Sequence, residues 1–226
     1  FACRGLFTIS LALYRLTTGS CGTENLRSGD DCRSQHHRTQ KSQMTKLYSY
    51  VVRFDLGFAP NPFGGLCTLA KCKIGNKQRN IVEMVEVGDW IVGTGGADPR
   101  TSSGNGTLIY AMLVDKKLPL RSYCRANSRR IDAEREDDED GRFALISKHF
   151  FYFGRNAIDI SEIPKKHLNH PLEKSGPGNR SDFSEDFIGD FAKWIKATFK
   201  VGVHGPPCKP CDESTLPKCP RQIRRK

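Results

Sequence analysis

"KLYSYVVRFDLGFAPNPFGGLCTLAKCK", residues Lys46 to Lys73, decides the fold class. Its first part, Lys46 to Asp55, is dense in β-branched and aromatic residues, which suit a pleated, half-buried surface, and it predicts a strand. The second part cannot extend that strand. Pro60 and Pro62 lack backbone donors and fix φ on either side of Asn61. Gly57, Gly64 and Gly65 supply turn material. The stretch reads as a strand running into a stiff aromatic loop, with the Asn61 side chain held in a set direction. Such a loop either turns a corner or holds something.

Downstream, "NIVEMVEVGDWIVGTGG" holds a second strand from about Asp89 to Val92, entered through Gly88-Asp89 and left through glycines. "GTLIYAMLV", Gly106 to Val114, is a third strand, apolar enough to be buried on both faces. "LRSYCRANSRRIDAE" after Pro119 predicts a helix, and "EREDDED" a solvated acidic loop. "RFALISKHFFYFG", Arg142 to Gly154, is a strand pair or one long bent strand. "SDFSEDFIGDFAKWIKATFK" is the clearest helix. Phe183, Phe187, Ile188, Phe191, Ile195 and Phe199 recur at helical spacing on one face. Asp182 with Glu185 resembles a capping box, and Lys196 and Lys200 suit the negative end of the helix dipole. Strands dominate and no repeat is visible. The expectation is an α+β domain with a mixed or mostly antiparallel sheet, a barrel-like closure being one form of it, and a C-terminal amphipathic helix packed on the sheet.

The chain has 226 residues and a hydrophobic content of 37%, enough for a packed core, so global disorder is excluded. Its net charge of +11 favours polyanionic partners. That excess sits mostly in the ends. Residues 1–43 hold six basic and three acidic groups, and residues 201–226 hold six and two. Residues 1–43 are low in large apolar side chains after the first turn and predict a disordered extension; a targeting peptide is the other reading. Residues 44–202 form the domain. Residues 203–226 form a basic tail rich in Pro and Cys. No apolar run approaches the ~20 residues of a membrane helix. Nine cysteines, an odd number without a dense framework, point to reduced thiols in an intracellular compartment.

Several motifs invite chemistry. "GTGG", Gly93 to Gly96, resembles a phosphate loop, but turn residues follow it where a cradle needs a helix N-terminus. The glycines suit a backbone turn or the approach of a ligand, which Thr94 and Gly95 would line. Asp89 beside Trp90 is a candidate acid or base, with turn capping as the plainer role. Cys67 is a candidate nucleophile, with a small core residue as the default. Arg53 and Asp55 alternate with Phe54, so they share a strand face and can pair, and Arg53 is a hook for phosphate. Phe58 and Phe63 offer rings for stacking and Asn61 an amide for a base edge, as when a flipped base is read. His204, Cys208, Cys211 and Cys219, spaced His-x3-Cys-x2-Cys-x7-Cys, fit no common zinc finger. A flexible tail with free thiols is preferred, so no metal site is assigned. No cofactor is named by any motif.

The segments "KLYSYVVRFDLGFAPNPFGGLCTLAKCK", "VGDWIVGTGG", "LIYAMLV" and "LISKHFFYFGRNAIDI", in this order and closed by "FSEDFIGDFAKWI", resemble the nucleotide modification associated domain 2 family. The resemblance covers about Lys46 to Phe199. It implies a role in modifying bases in nucleic acids or nucleotides, with a nucleotide or nucleic acid as partner, and it carries no settled reaction. A non-catalytic interaction module with a structural FAPNPF loop is the alternative. Family members carry a longer segment with a "GDNIY"-like motif where this chain has only residues 115–141, so any part of a site held there is missing here.

Overall fold

The computed structural model describes residues 44–70, 80–133, 143–174, 176 and 178–209. The expectations for residues 1–43, the acidic run, Cys72, Cys211, Cys219 and the basic terminus lie outside them. The strands are β1 (Leu47–Val52), β2 (Cys67–Leu69), β3 (Trp90–Gly95), β4 (Thr107–Leu113), β5 (Lys116–Pro119), β6 (Phe143–Ser147), β7 (His149–Tyr152), β8 (Ile158–Asp159), β9 (Asn179–Arg180) and β10 (Gly202–Val203). The helices are α1 (Ile81–Met84), α2 (Pro99–Ser102), α3 (Leu120–Ala126) and α4 (Glu185–Thr198).

The larger sheet runs β10-β7-β4-β3-β1-β9, with β8 beside β4; the smaller runs β2-β6-β5. β1 pairs in parallel with β3, whereas β3–β4 and β4–β7 are antiparallel. The sheet is mixed and open, so the barrel-like form is not what the chain adopts. A parallel pair needs a long crossover. Here the crossover from β1 to β3 contains the proline loop, β2 and α1. That is why the loop starts at the C-terminal end of β1 and feeds the second sheet.

Both faces of the larger sheet are buried. On one face Leu47, Trp90, Val92, Ala111 and Phe151 meet Phe187, Ile188, Phe191 and Ile195 of α4. Each Leu, Val, Ile or Phe side chain among them contributes about 1.5–3 kcal/mol by leaving water. The exposed side of α4 carries Glu185, Asp186, Lys193 and Lys196. Its cap is Ser184, whose hydroxyl accepts from Phe187 N at 3.2 Å, not the expected Asp182. On the other face Tyr48, Tyr50, Val52, Ile91 and Tyr152 meet Ile81 and Val82 of α1 and Cys67, Leu69 and Leu145 of the smaller sheet. Tyr123 and Leu120 of α3 cover the far side of that sheet with Ala144 and Ile146. The segment Arg142–Gly154 gives two strands, and they belong to different sheets.

The "GTGG" glycines make room for neighbours. Gly93 pairs with Tyr110 and Thr94 with Leu108, so Ile109 is an extra residue in β4. Such a bulge re-aims side chains. The Tyr110 ring occupies the space that a Cβ on Gly93 would need. A Cβ on Gly95 would likewise overlap the carbonyl of Gly104. These glycines serve packing, and α2, a single turn capped by Asp98, follows them.

Candidate functional site

Two buried polar networks involve the chain that follows β1. The first locks the proline loop. The Ala59–Pro60 peptide is cis. Asn61 N donates to Thr68 O and Thr68 N donates to Asn61 O, each at 2.9 Å, which closes the loop. Asn61 is 2% exposed. Its Nδ2 donates to Asp132 Oδ1 at 2.9 Å, and its Oδ1 accepts from Phe63 N at 3.2 Å. Asp132, fully buried, also accepts from Thr68 Oγ1 and, at 2.9 Å, from Tyr123 OH. Arg130 completes the lock. Its Nε lies 3.4 Å from Asp132 Oδ1, and its guanidinium donates to the carbonyls of Phe63 and Asn61 and to Thr68 Oγ1. Burial, then the Asp132 charge, push the Tyr123 hydroxyl up to about 12.

The second network surrounds Asp55. This carboxylate is fully buried. It accepts from Tyr152 OH at 2.6 Å and from the backbone N of Cys208 at 3.1 Å. Asp55 O accepts from Lys209 N at 3.0 Å. The Cys208 thiol lies 2.9 Å from Ser103 Oγ, and Ser103 Oγ donates to Gly154 O. Tyr50 and Tyr110 share a hydrogen bond of 2.8 Å nearby. Burial first, then the Asp55 charge, drive the Tyr152 hydroxyl far above its ordinary range. Tyr110 is raised too, by burial and then by Tyr50. The chain from Val203 to Lys209, assigned from the sequence to the tail, therefore lies against the domain. Val203 pairs with Tyr152, and Asp55 holds Cys208.

The sequence candidates fall in different places. Asp89 accepts from Lys46 N at 2.8 Å and from Glu86 N at 2.9 Å, which is turn capping. It precedes β3, whereas Thr94 and Gly95 end that strand. At ~3.3 Å per residue the separations are about 17 Å to Thr94 and about 20 Å to Gly95, beyond one nucleotide-sized ligand. Cys67 is fully buried in the core, and desolvation drives its thiol above the ordinary range, which disfavours the thiolate. Thr94 is buried, with its hydroxyl on Tyr50 O. Arg53 and Asp55 do not pair. β1 ends at Val52, so the alternation that put them on one face stops there. Asp55 turns inward, while Arg53 stays exposed with its guanidinium 5.5 Å over the Phe54 ring. Phe58 is half-buried and Phe63 is exposed. Asn61 is brought beside Thr68 but spends its amide inside the protein.

Tyr123, Arg130, Asp132 and Tyr152 were not legible as site residues. Asn61 and Asp132 are 71 positions apart, and no local pattern links them. The one sequence signal was Asp132 itself, a carboxylate just after two arginines.

Among the described residues no group of three His, Cys, Asp or Glu side chains converges as a metal site. No helix among them is long and apolar enough to cross a membrane. The sequence pattern of the nucleotide modification associated domain 2 family matches residues 44–133 and 124–214. The two matches overlap at residues 124–133. No curated protein and no solved structure matches the chain.

Proposed function

This chain belongs to the nucleotide modification associated domain 2 family, and we propose that it acts in modifying bases, or in recognising modified bases, in nucleotides or nucleic acids. The observation that carries this reading is the rim at the C-terminal end of β1. There exposed Arg53, Phe54 and Phe63 border the buried Asp55–Tyr152 pair. Arg53 meets phosphate, and an aromatic ring meets the base face. Asp89 and Cys67 remain the chemistry candidates that the sequence offers, but the capping bonds of Asp89 and the suppressed thiol of Cys67 argue against both.

The test is a thermal-shift titration of the full chain with nucleoside monophosphates, since a ligand that binds only the folded state raises its melting point. A shift that Arg53→Ala or Phe63→Ala abolishes supports the reading. No shift at millimolar nucleotide sinks it.

The spent amide of Asn61 favours a second reading, a non-catalytic interaction module with a structural loop. Asn61→Ala separates the two. Lost stability with nucleotide binding retained assigns the loop to structure; lost binding at intact stability assigns it to the ligand.

A further inference from the structure

The rim carries more than one aromatic platform, and cations border it. Phe54 is 53% exposed and Phe63 is 48% exposed. The Phe63 ring lies 3.0 Å from where a Cβ on Gly57 would sit, and Pro207 Cγ lies 2.7 Å from that same point. Gly57 follows Phe54 by three residues, so its Cα lies at most about 11 Å from that of Phe54. Three cations stand on segments that are bonded to one another or follow one another here. Arg53 precedes Phe54. Lys209 N is bonded to Asp55 O at 3.0 Å. Arg155 Nη2 is bonded to Cys208 O at 3.0 Å, and Arg155 N to Pro206 O at 2.8 Å. Arg53, Arg155 and Lys209 are all exposed. Helix α2 adjoins them through the Asp55 N to Thr101 O bond, and its N-cap carboxylate, Asp98, is already engaged by Arg100 at 3.1 Å.

A second observation bears on Phe63. Single exposed aromatics are common and need no function. This one stands on a clamped backbone. Its N–H is held by Asn61 Oδ1 and its carbonyl by Arg130 Nη1, through a buried network that also recruits Asp132, Thr68 and Tyr123. The fold spends that network on fixing a ring that stays in solvent. A rigid, exposed ring next to cations suits stacking on a base face.

We infer that this rim binds single-stranded nucleic acid, with Phe54 and Phe63 stacking two different bases while Arg53, Arg155 and Lys209 contact phosphates. The inference rests on the nucleotide reading above and extends it from one nucleotide to a chain. Two platforms exceed what one base can cover. A duplex hides its base faces in its own stack, so the aromatics would be idle against it. Stacking and charge alone tolerate any sequence.

The experiment uses the full chain, with fluorescence anisotropy on labelled single strands of about 12 nucleotides, inside the site sizes that such surfaces cover. DNA and RNA strands form two arms, and a hairpin duplex and a nucleoside monophosphate serve as competitors. Either single strand should bind, and the duplex and the mononucleotide should compete at least about tenfold more weakly. Phe54→Ala and Phe63→Ala should each weaken binding about 5- to 150-fold. Arg155→Ala and Lys209→Ala should each flatten the salt slope by about 0.7. The Phe54, Phe63 and Lys209 side chains are exposed, so the melting points of these variants should stay near the parent's, which keeps misfolding out of the result; Arg155→Ala also loses its bond to Cys208 O, so its salt slope is read on protein that circular dichroism shows to be folded. Single strands that bind no better than the mononucleotide overturn the inference but leave the nucleotide reading standing. Wild-type affinity in Phe54→Ala and Phe63→Ala also overturns it. An absence of binding by strand and by mononucleotide alike removes both.

Discussion

Replacing Asp132 by Asn tests the lock on the proline loop with almost no change in volume. Asp132 is fully buried and receives donors from Asn61, Thr68 and Tyr123, with Arg130 3.4 Å away. The amide that replaces one carboxylate oxygen is itself a donor: turned toward Asn61 Nδ2 it faces a donor, and turned toward Thr68 and Tyr123 it is accepted only if their hydroxyls rotate away from donating. The Arg130 side chain, 14% exposed, loses its counter-charge. Removing one partner of a buried ion pair costs about 3–5 kcal/mol. The residual exposure of Arg130 places this case near the lower end, at about 3 kcal/mol. For a domain of this size that lowers Tm by roughly 6–12 °C. Urea unfolding followed by tryptophan fluorescence and by circular dichroism measures the loss. A double-mutant cycle with Arg130→Met isolates the pair, and their coupling should exceed about 1 kcal/mol. A loss under about 1 kcal/mol, or additive single losses, would show that the network contributes little, and that the loop is held by its prolines alone.

The remaining predictions concern alkali, the last helix and the C-terminal strap. Tyr123 titrates near 12 in the fold against about 10 in the unfolded chain, because burial and then Asp132 disfavour its phenolate. Its contribution is therefore complete below pH 10 and disappears as pH rises from 10 through 12; the stability advantage of the parent over Tyr123→Phe should shrink across that window in urea titrations. Ser184→Ala removes the acceptor for Phe187 N and should cost about 1 kcal/mol, measured by thermal unfolding, with Asp182→Ala costing less. Asp55→Asn removes an acceptor that holds Cys208 N and should speed alkylation of the Cys208 thiol, followed by mass spectrometry of its peptide; an unchanged rate would mean that other contacts hold the strap.

The elements were legible where one residue pattern dictates one structure. Aromatic and β-branched density gave β1, an apolar run gave β4, and the phenylalanine stripe gave α4. Their termini were less legible, because a cap is decided by which hydroxyl or carboxylate reaches a free N–H. Ser184 reaches Phe187 N, although Asp182 with Glu185 makes the better motif. The role of the glycines was hidden for a similar reason. Gly93 is small because Tyr110 crosses it from a neighbouring strand, and nothing local to "GTGG" announces that ring. The site was least legible. A rigid loop around Asn61 follows from its prolines, but its direction follows from Asp132 and Arg130, which arrive from a segment that the sequence presents as a helix and an acidic loop.

The two carboxylates Asp89 and Asp55 show why nearness along the chain misleads here. Asp89 stands five residues before Thr94 and looks like its partner. An extended strand carries those five residues straight across the sheet, so Asp89 ends at the far edge and caps a turn. Asp55 stands 153 residues from Cys208, yet the two are bonded. The cause is the parallel pairing of β1 with β3: Val52 sits opposite Gly95, so both strands end on the same edge. Whatever follows either strand gathers there, including Arg53, Asp55 and the proline loop, and the pairing of β10 with β7 brings the C-terminal strap to the same edge. In open parallel α/β sheets ligands bind at such carboxyl-terminal edges, and in this mixed sheet β1, β3 and β7 end there. The edge that collects Arg53, Phe54, Phe63, Arg155 and Lys209 is thus fixed by strand direction before any side chain is considered, and Asp89 is excluded from it by the same geometry.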